Sequence, residues 1–210
     1  KLGLINGKPV KTARVVGEVL GKYHPHGDKS VQDAITKLAQ QCTSPVFGGE
    51  SNWGSITGDS PAAMRYTNVK LSKYGAMFFD PYYMPAVDLV QNYDGSEEEP
   101  VVLPALLPNI LLNGGEGMAV AVTCKLPTYT PQSVIKCLID AASKGGATTA
   151  MCASILEFNS ESNGVVLKTK QKAELVNFYK TGQAGILYDS RIAYNDKLKA
   201  FVLTGAAPWK

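Results

Sequence analysis

Gly21-Lys22-Tyr23-His24-Pro25-His26-Gly27-Asp28 is the stretch that decides the fold. Pro25 withholds a backbone donor and Gly27 frees the chain to turn, so a helix entering this stretch must stop. Before it, Val15, Val16, Val19 and Leu20 share one side of a helix over about residues 13–22, with Thr12 placed to cap it. After it, Asp28 is placed to cap a second helix over about residues 29–41. There Val31, Ala34, Ile35, Leu38 and Ala39 follow the i, i+3, i+4, i+7, i+8 pattern. Two short helices across a tight turn make a helix-turn-helix candidate. Gly17 and Gly21 each cost the first helix about 1 kcal/mol relative to alanine. Four apart on one face, they point to another backbone or a ligand passing close by.

Working outward, residues 45–58 carry Gly48, Gly49, Gly54 and Gly58 among strand formers, as a hairpin or wing would. Val69, Leu71, Tyr74 and Phe78 predict a helix from Thr67 to about Phe79, ended before Pro81. Residues 80–100 are rich in turn signals and read as the junction between two parts. The expected architecture is α+β. A winged-helix DNA-binding domain (helix-turn-helix plus wing) occupies residues 1–99, and a mixed second domain occupies residues 100–210. In that second part, Met118–Thr123 reads as an apolar strand. Thr130 caps and Pro131 opens a helix with Val134, Ile135, Leu138, Ile139 and Ala142 as its stripe, closed by Lys144-Gly145. Strands are expected near 151–158, 164–169, 184–194 and 199–204, around a helix at about 171–180.

With 210 residues and 45% hydrophobic composition, the chain can bury a real core. Its net charge is only +3, but the first 40 residues carry seven basic side chains against three acidic ones. One basic face suits a phosphate backbone. The four cysteines, Cys42, Cys124, Cys137 and Cys152, lie far apart without a C-x-x-C pair, which argues for a reducing compartment over a zinc or disulfide scaffold. No apolar run reaches about 18 residues, so no membrane span is expected. A chain starting at Lys1 without a signal pattern reads as a portion of something longer.

The candidate chemistry sits in Pro61-Ala62-Ala63-Met64-Arg65-Tyr66-Thr67, at the start of the segment that reads as a helix. A tyrosine hydroxyl ionises near pH 10, so it becomes a nucleophile only with help. Arg65 is a permanent cation beside Tyr66, suited to a phenolate and a crowded phosphate. Adjacent residues do not share a helix face, which suits a turn or helix start. His24 and His26, the only histidines, are placed to donate to phosphate oxygens. His24, His26 and Asp28 could alternatively open a metal site, although no third histidine exists to complete one.

Lys11-Thr12-Ala13-Arg14-Val15-Val16-Gly17, Gly21 to Asp28, Asn52-Trp53-Gly54-Ser55-Ile56 and Gly58 to Thr67 occur in that order. Asn92-Tyr93-Asp94-Gly95-Ser96 and Leu107-Pro108-Asn109-Ile110-Leu111-Leu112-Asn113-Gly114 follow. The set closely resembles the breakage-reunion region of bacterial type IIA DNA topoisomerases, the A subunit of gyrase and its topoisomerase IV counterpart, or a phage-encoded version of it. It is dense from about Thr12 to Leu126 and thin beyond. The resemblance implies that Tyr66 forms a transient 5′-phosphotyrosine link with DNA, with Arg65, His24 and His26 as catalytic helpers. Arg14, Lys22 and Lys29 fall at DNA-binding positions, and Met118 falls where an apolar wedge kinks the duplex. The same resemblance implies a tower-like second domain, a homodimer of this chain, and an A2B2 assembly with an ATPase/TOPRIM B-type subunit. That partner would hold Mg²⁺ and hydrolyse ATP, so this chain binds neither alone. A cytoplasmic, DNA-associated location follows, in a host cytoplasm if phage-encoded.

The pattern also departs from the family. Lys29 replaces a common small hydroxyl residue, Gln32 a common aromatic and Glu50 a common glutamine. Lys125-Leu126-Pro127-Thr128-Tyr129 lacks a usual second proline and a histidine. The Lys29 change implies weak quinolone poisoning. The residues also admit two rival readings: a non-catalytic winged-helix DNA binder, and a metal-dependent hydrolase built on His24, His26 and Asp28.

Overall fold

Three short strands organise the first half of the chain: β1 (Val10–Lys11), β2 (Val46–Phe47) and β3 (Asn68–Leu71). They form an antiparallel sheet in the order β1-β3-β2, with Lys11 opposite Asn68 and Val46 opposite Leu71. The computed structural model describes residues 2–41, 43–54, 59–159, 166–167, 172–183, 188–189 and 191–205. Lys1, Cys42, residues 55–58 of the expected wing and parts of the expected strands at 164–169 and 184–194 lie outside them. The chain divides into two units, Lys1–Leu106 and Leu107–Lys210. Helix and strand are mixed in both, as an α+β protein requires.

In the first unit, α1 (Thr12–Lys22) and α2 (Asp28–Gln40) lie on either side of the Tyr23–Gly27 turn. Val16, Val31, Ile35 and Val69 make the buried core, joined at its edge by Val15, Val19, Leu20, Val46, Trp53 and Met64. Both helices begin one residue earlier than their expected caps allow. Thr12 is the first helical residue and Lys11 the cap position, while Gly27 precedes Asp28 in the same way. Neither cap position makes a side-chain bond. Asp28 instead puts a carboxylate in the first turn of α2, where the helix dipole favours it. An added methyl at Gly17 or Gly21 would meet nothing within 4 Å among the described residues, although the Tyr93 hydroxyl reaches the Gly21 carbonyl.

The expected helix from Thr67 to Phe79 is a strand followed by a short helix. Asn68-Val69-Lys70-Leu71 is β3, with Val69 turned into the core, and α3 (Lys73–Met77) begins only after Ser72. The Ser72 hydroxyl accepts from the Gly75 N–H at 2.9 Å and so fixes that start. Gly75 lies hard against Pro45; a methyl added there would run into the Pro45 carbonyl oxygen. Strand β2 forms where the wing is expected and pairs with β3; among the described residues of 45–58 no second strand accompanies it.

Met84–Ala86 makes one 3₁₀ turn, and β4 (Leu89–Gln91) then pairs with β5 (Glu98–Pro100). The connecting turn is hung on the end of α1. Buried Asn92 donates through Nδ2 to the Lys22 carbonyl at 2.6 Å and accepts from the Glu97 N–H, while Tyr93 Oη donates to the Gly21 carbonyl at 2.7 Å. Inside the turn, bonds from the Ser96 hydroxyl and N–H hold the Asp94 carboxyl below its ordinary range.

The second unit opens with α4 (Asn109–Asn113) and a hairpin of β6 (Gly115–Ala119) and β7 (Val122–Leu126). The single strand expected over Met118–Thr123 is the tip of that hairpin, because the chain reverses at Val120-Ala121 with Ala121 at φ 61°. Helix α5 (Pro131–Lys144) matches its sequence signals: the Thr130 hydroxyl accepts from the Ser133 N–H, and Gly145 ends the helix in the left-handed region. Its buried stripe is narrower than expected. Val134 and Cys137 are buried, whereas Ile135, Leu138 and Ile139 are exposed.

Residues 151–158 are mainly helical, not a strand: α6 (Thr149–Ile155) is started by the Thr148 hydroxyl, which accepts from the Met151 N–H. A single bridge then joins Tyr129 and Phe158, whose rings stack at 5.1 Å. Helix α7 (Lys172–Thr181) adds Phe178 and Tyr179 to this aromatic cluster. Burial pushes the Tyr179 phenol far above its ordinary range. Two further pairs, β8 (Val166–Leu167) with β9 (Tyr188–Asp189) and β10 (Arg191–Asn195) with β11 (Ala200–Gly205), are also present among the described residues. Among the described residues no helix is long and apolar enough to cross a membrane.

Candidate functional site

Tyr66 lies in the turn that delivers the chain into β3, not at the start of a helix. Its N–H donates to the Ala63 carbonyl at 2.8 Å, closing the turn. The turn is fastened to the N-terminus of α1 at three points. The Thr12 N–H donates to the Thr67 carbonyl at 3.0 Å and the Ala13 N–H to the Met64 carbonyl at 3.3 Å. Between them, the fully buried hydroxyls of Thr67 and Thr12 are bonded at 2.7 Å. Helix N-termini leave unpaired N–H groups that a side-chain cap usually satisfies; here backbone carbonyls flanking Tyr66 do so.

The result is a fixed backbone beneath a free side chain. Tyr66 is 65% exposed, and the Arg65 guanidinium carbon lies 4.6 Å from its ring centroid. That contact keeps a permanent positive charge over the phenol. Tyr66 lines a shallow depression with Pro9, Gly48, Gly49, Glu50, Ser51 and Asn68. Its floor is tied to β3, because the Ser51 hydroxyl accepts from the Asn68 N–H at 2.9 Å.

The two histidines stand together at the other end of α1. Their ring centroids are 4.4 Å apart, the His24 N–H donates to the Val19 carbonyl, and the His26 N–H donates to the His24 carbonyl. Both side chains are exposed. An eleven-residue helix is about 16 Å long, so α1 holds the histidine turn and the Tyr66 turn well apart within one chain. Arg14 is exposed in the first turn of α1, near the Tyr66 end.

The lysines are partly engaged. Lys22 is bonded to Glu18 and lies 3.9 Å from Glu97. The Lys22 bond holds the Glu18 carboxyl below its ordinary range, and the same bond raises Lys22. Lys29 pairs with Asp33 at 2.9 Å on the exposed face of α2. Met118, in the second unit, is 82% exposed near the tip of the β6–β7 hairpin, beside Val120 at 97%. Among the described residues no three His, Cys, Asp or Glu side chains are grouped to hold a metal ion.

The buried Thr12–Thr67 pair and the Asn92 and Tyr93 contacts to α1 are parts of this site that sequence reasoning misses. The two threonines are 55 residues apart, and no local pattern marks such a pairing.

Residues 3–205 match the family of DNA gyrase/topoisomerase IV A subunits. The chain is 38% identical over 179 residues to the A subunit of DNA topoisomerase 4 from Caulobacter vibrioides, covering 84% of this chain and 23% of that protein. It is 34% identical over 209 residues to the A subunit of DNA gyrase from Thermotoga maritima, covering 97% and 26%. With the A subunit of DNA gyrase from Lawsonia intracellularis it shares 49% identity over 123 residues, covering 58% and 15%. The chain thus spans about a quarter or less of the length of these relatives.

Proposed function

Because the chain belongs to the family of DNA gyrase/topoisomerase IV A subunits, we propose that it carries the DNA-cleaving and resealing step of a type II topoisomerase, with Tyr66 as nucleophile. The observation that carries this reading is the exposed Tyr66 phenol under the Arg65 guanidinium, on a turn clamped to α1. Holding a reacting group in a fixed position is one of the larger contributions a protein makes to a displacement.

In the cleavage step Tyr66 Oη attacks a backbone phosphorus and loses its proton. The bond from phosphorus to the 3′ oxygen breaks, that oxygen takes up a proton to leave as a free 3′-hydroxyl, and the 5′ phosphate stays on Tyr66. One phosphodiester replaces another, so the step reverses without an energy source. Arg65 stabilises the charge that gathers on the phosphate oxygens. Arg14, Lys22 and Lys29 hold the duplex backbone; Lys22 and Lys29 exchange Glu18 and Asp33 for phosphate on binding. Met118 enters the base stack as an apolar wedge, and its exposure on a hairpin tip supports that role.

His24 and His26 contact the reacting phosphate and assist proton transfer. Their distance from Tyr66 along α1 supports a homodimer in which each histidine pair serves the tyrosine of the other chain. The β1-β3-β2 order with α1 and α2 packed on it supports a winged-helix reading of residues 1–99, and residues 100–210 are read as the start of the tower domain. Mg²⁺ and ATP are assigned, on the family alone, to a B-type partner with ATPase and TOPRIM parts, in an A2B2 assembly acting on double-stranded DNA.

The test is a cleavage reaction of the assembled enzyme on duplex DNA, stopped with denaturant. Protein covalently attached to 5′ ends, and lost in Tyr66→Phe, is the expected result. DNA binding without any attachment by the native protein would leave a non-catalytic DNA binder as the reading.

A further inference from the structure

The outer face of the β1-β3-β2 sheet carries charge that no step above uses. Along the chain into β3, Thr67 and Val69 are buried, and Tyr66, Asn68 and Lys70 alternate with them on the other side. Tyr66 and Asn68 line one shallow depression; Lys70 lines another with Asn6, Phe47, Ser72 and Lys73. Lys70 stands opposite Phe47 in the ladder, and its ammonium lies 5.5 Å from the centroid of that half-exposed ring. Lys11, also exposed, stands opposite Asn68. Glu50 is the one acid among the residues lining the two depressions.

Lys70 and Lys73 differ from the lysines already assigned to DNA. Lys22 and Lys29 sit against Glu18 and Asp33 and must give up those carboxylates to take a phosphate. Among the described residues neither Lys70 nor Lys73 has a carboxylate partner. An aromatic ring holds an ammonium in place without cancelling its charge, so Lys70 is kept on the outer face as a bare cation.

We infer that Lys70 and Lys73 bind backbone phosphates of the duplex on which Tyr66 acts, so that the DNA lies along the outer face of β3. The inference rests on the reading of Tyr66 as the residue that joins DNA. At about 3.3 Å per residue, Lys70 is about 13 Å from Tyr66 along the chain. Each strand of a duplex presents a phosphate about every 3.4 Å of its axis. A duplex running along β3 from Tyr66 therefore brings a phosphate to each lysine. Such contacts ignore base sequence but set the register of the backbone, and hence of the phosphate presented to Tyr66.

The test measures binding of a short duplex to the full chain over a salt series, for the native chain, Lys70→Gln, Lys73→Gln and Lys144→Gln. Each of the first two should weaken binding and make the slope of log K against log salt shallower by about 0.9. Lys144, paired with Asp140 on α5, is the charge control and should leave the slope unchanged. An unchanged slope removes the lysine concerned, and unchanged slopes in both variants would overturn the inference. So would an equal change in Lys144→Gln, which would reflect net charge alone. Unchanged slopes with weakened association to a B-type partner would make the face a protein-docking surface instead. Covalent attachment to DNA, measured alongside in the assembled enzyme, separates the two readings. Attachment with unchanged slopes sinks the phosphate contacts alone; shallower slopes without attachment by the native enzyme keep the contacts and remove the Tyr66 chemistry.

Discussion

The Thr67 hydroxyl donates to the Thr12 hydroxyl at 2.7 Å, and this buried bond ties the turn carrying Tyr66 to the first turn of α1. Thr67→Val keeps the shape but leaves the Thr12 oxygen without its donor, at a cost of about 1–3 kcal/mol. Thr12→Val combined with Thr67→Val should cost less than the two separate losses added together, since neither hydroxyl is then left unpaired. Urea unfolding of the four chains measures this coupling. A purely additive result would mean that the bond does not hold the turn.

Gly75 should be intolerant for a reason unrelated to helix propensity. Alanine is the better helix former, yet at this position its methyl would run into the Pro45 carbonyl oxygen. That carbonyl also accepts from the Ser72 N–H, so it cannot retreat freely. Gly75→Ala is expected to destabilise by about 1–3 kcal/mol, read as a lower urea midpoint. A gain in stability would show that α3 can slide away from Pro45.

The separation of the histidine turn from Tyr66 along α1 makes a prediction about mixed assemblies. Tyr66→Phe chains and His24→Ala/His26→Ala chains should each be inactive in DNA cleavage alone. Mixed dimers should regain one composite site and nick one strand. Absence of any nicking in the mixture, with dimers shown to form, would place the histidines with the tyrosine of their own chain.

The Glu18–Lys22 pair gives a pH dependence whose sign is fixed. Glu18 is held below its ordinary value of 4.5, so its contribution is complete above that value and is lost as pH falls through the folded value. Lys22 is raised above 10.5, so its contribution is complete below that value and is lost as pH rises further. The stability difference between the native chain and Glu18→Gln should therefore be flat across neutral pH and shrink at both extremes. Urea midpoints over a pH series measure it; a difference growing toward acid would contradict the assignment. The pair is exposed enough that salt should shrink the difference as well.

Much of this architecture is legible in the sequence where the signal is local. The helices flanking Tyr23–Gly27 are visible because each buries one stripe, and α5 because Thr130, Pro131 and Gly145 punctuate it. The cap residues mislead at Thr12, because its hydroxyl is taken by a threonine 55 residues away. Thr67–Leu71 misleads because Val69 and Leu71 fit a helix stripe as well as a strand edge. Only pairing with β1 and β2 decides between them. The β6–β7 reversal at Val120-Ala121 carries no glycine or asparagine to announce it. For the candidate site, the Arg65-Tyr66 pair and the two histidines are readable as chemistry. Their placement at opposite ends of α1, and the Asn92 and Tyr93 bonds to α1 from 70 and 72 residues away, depend on tertiary structure.

Strand β3 has a mechanical consequence. It is the middle strand of its sheet and begins directly after Thr67, so DNA held in the proposed link to Tyr66 would pull on its leading end. Tension along the strand axis meets the ladders to β1 and β2 together and loads them in shear. A strand at the sheet's edge would have one such ladder to resist the pull, and a severed duplex under twist would have that much less to anchor it.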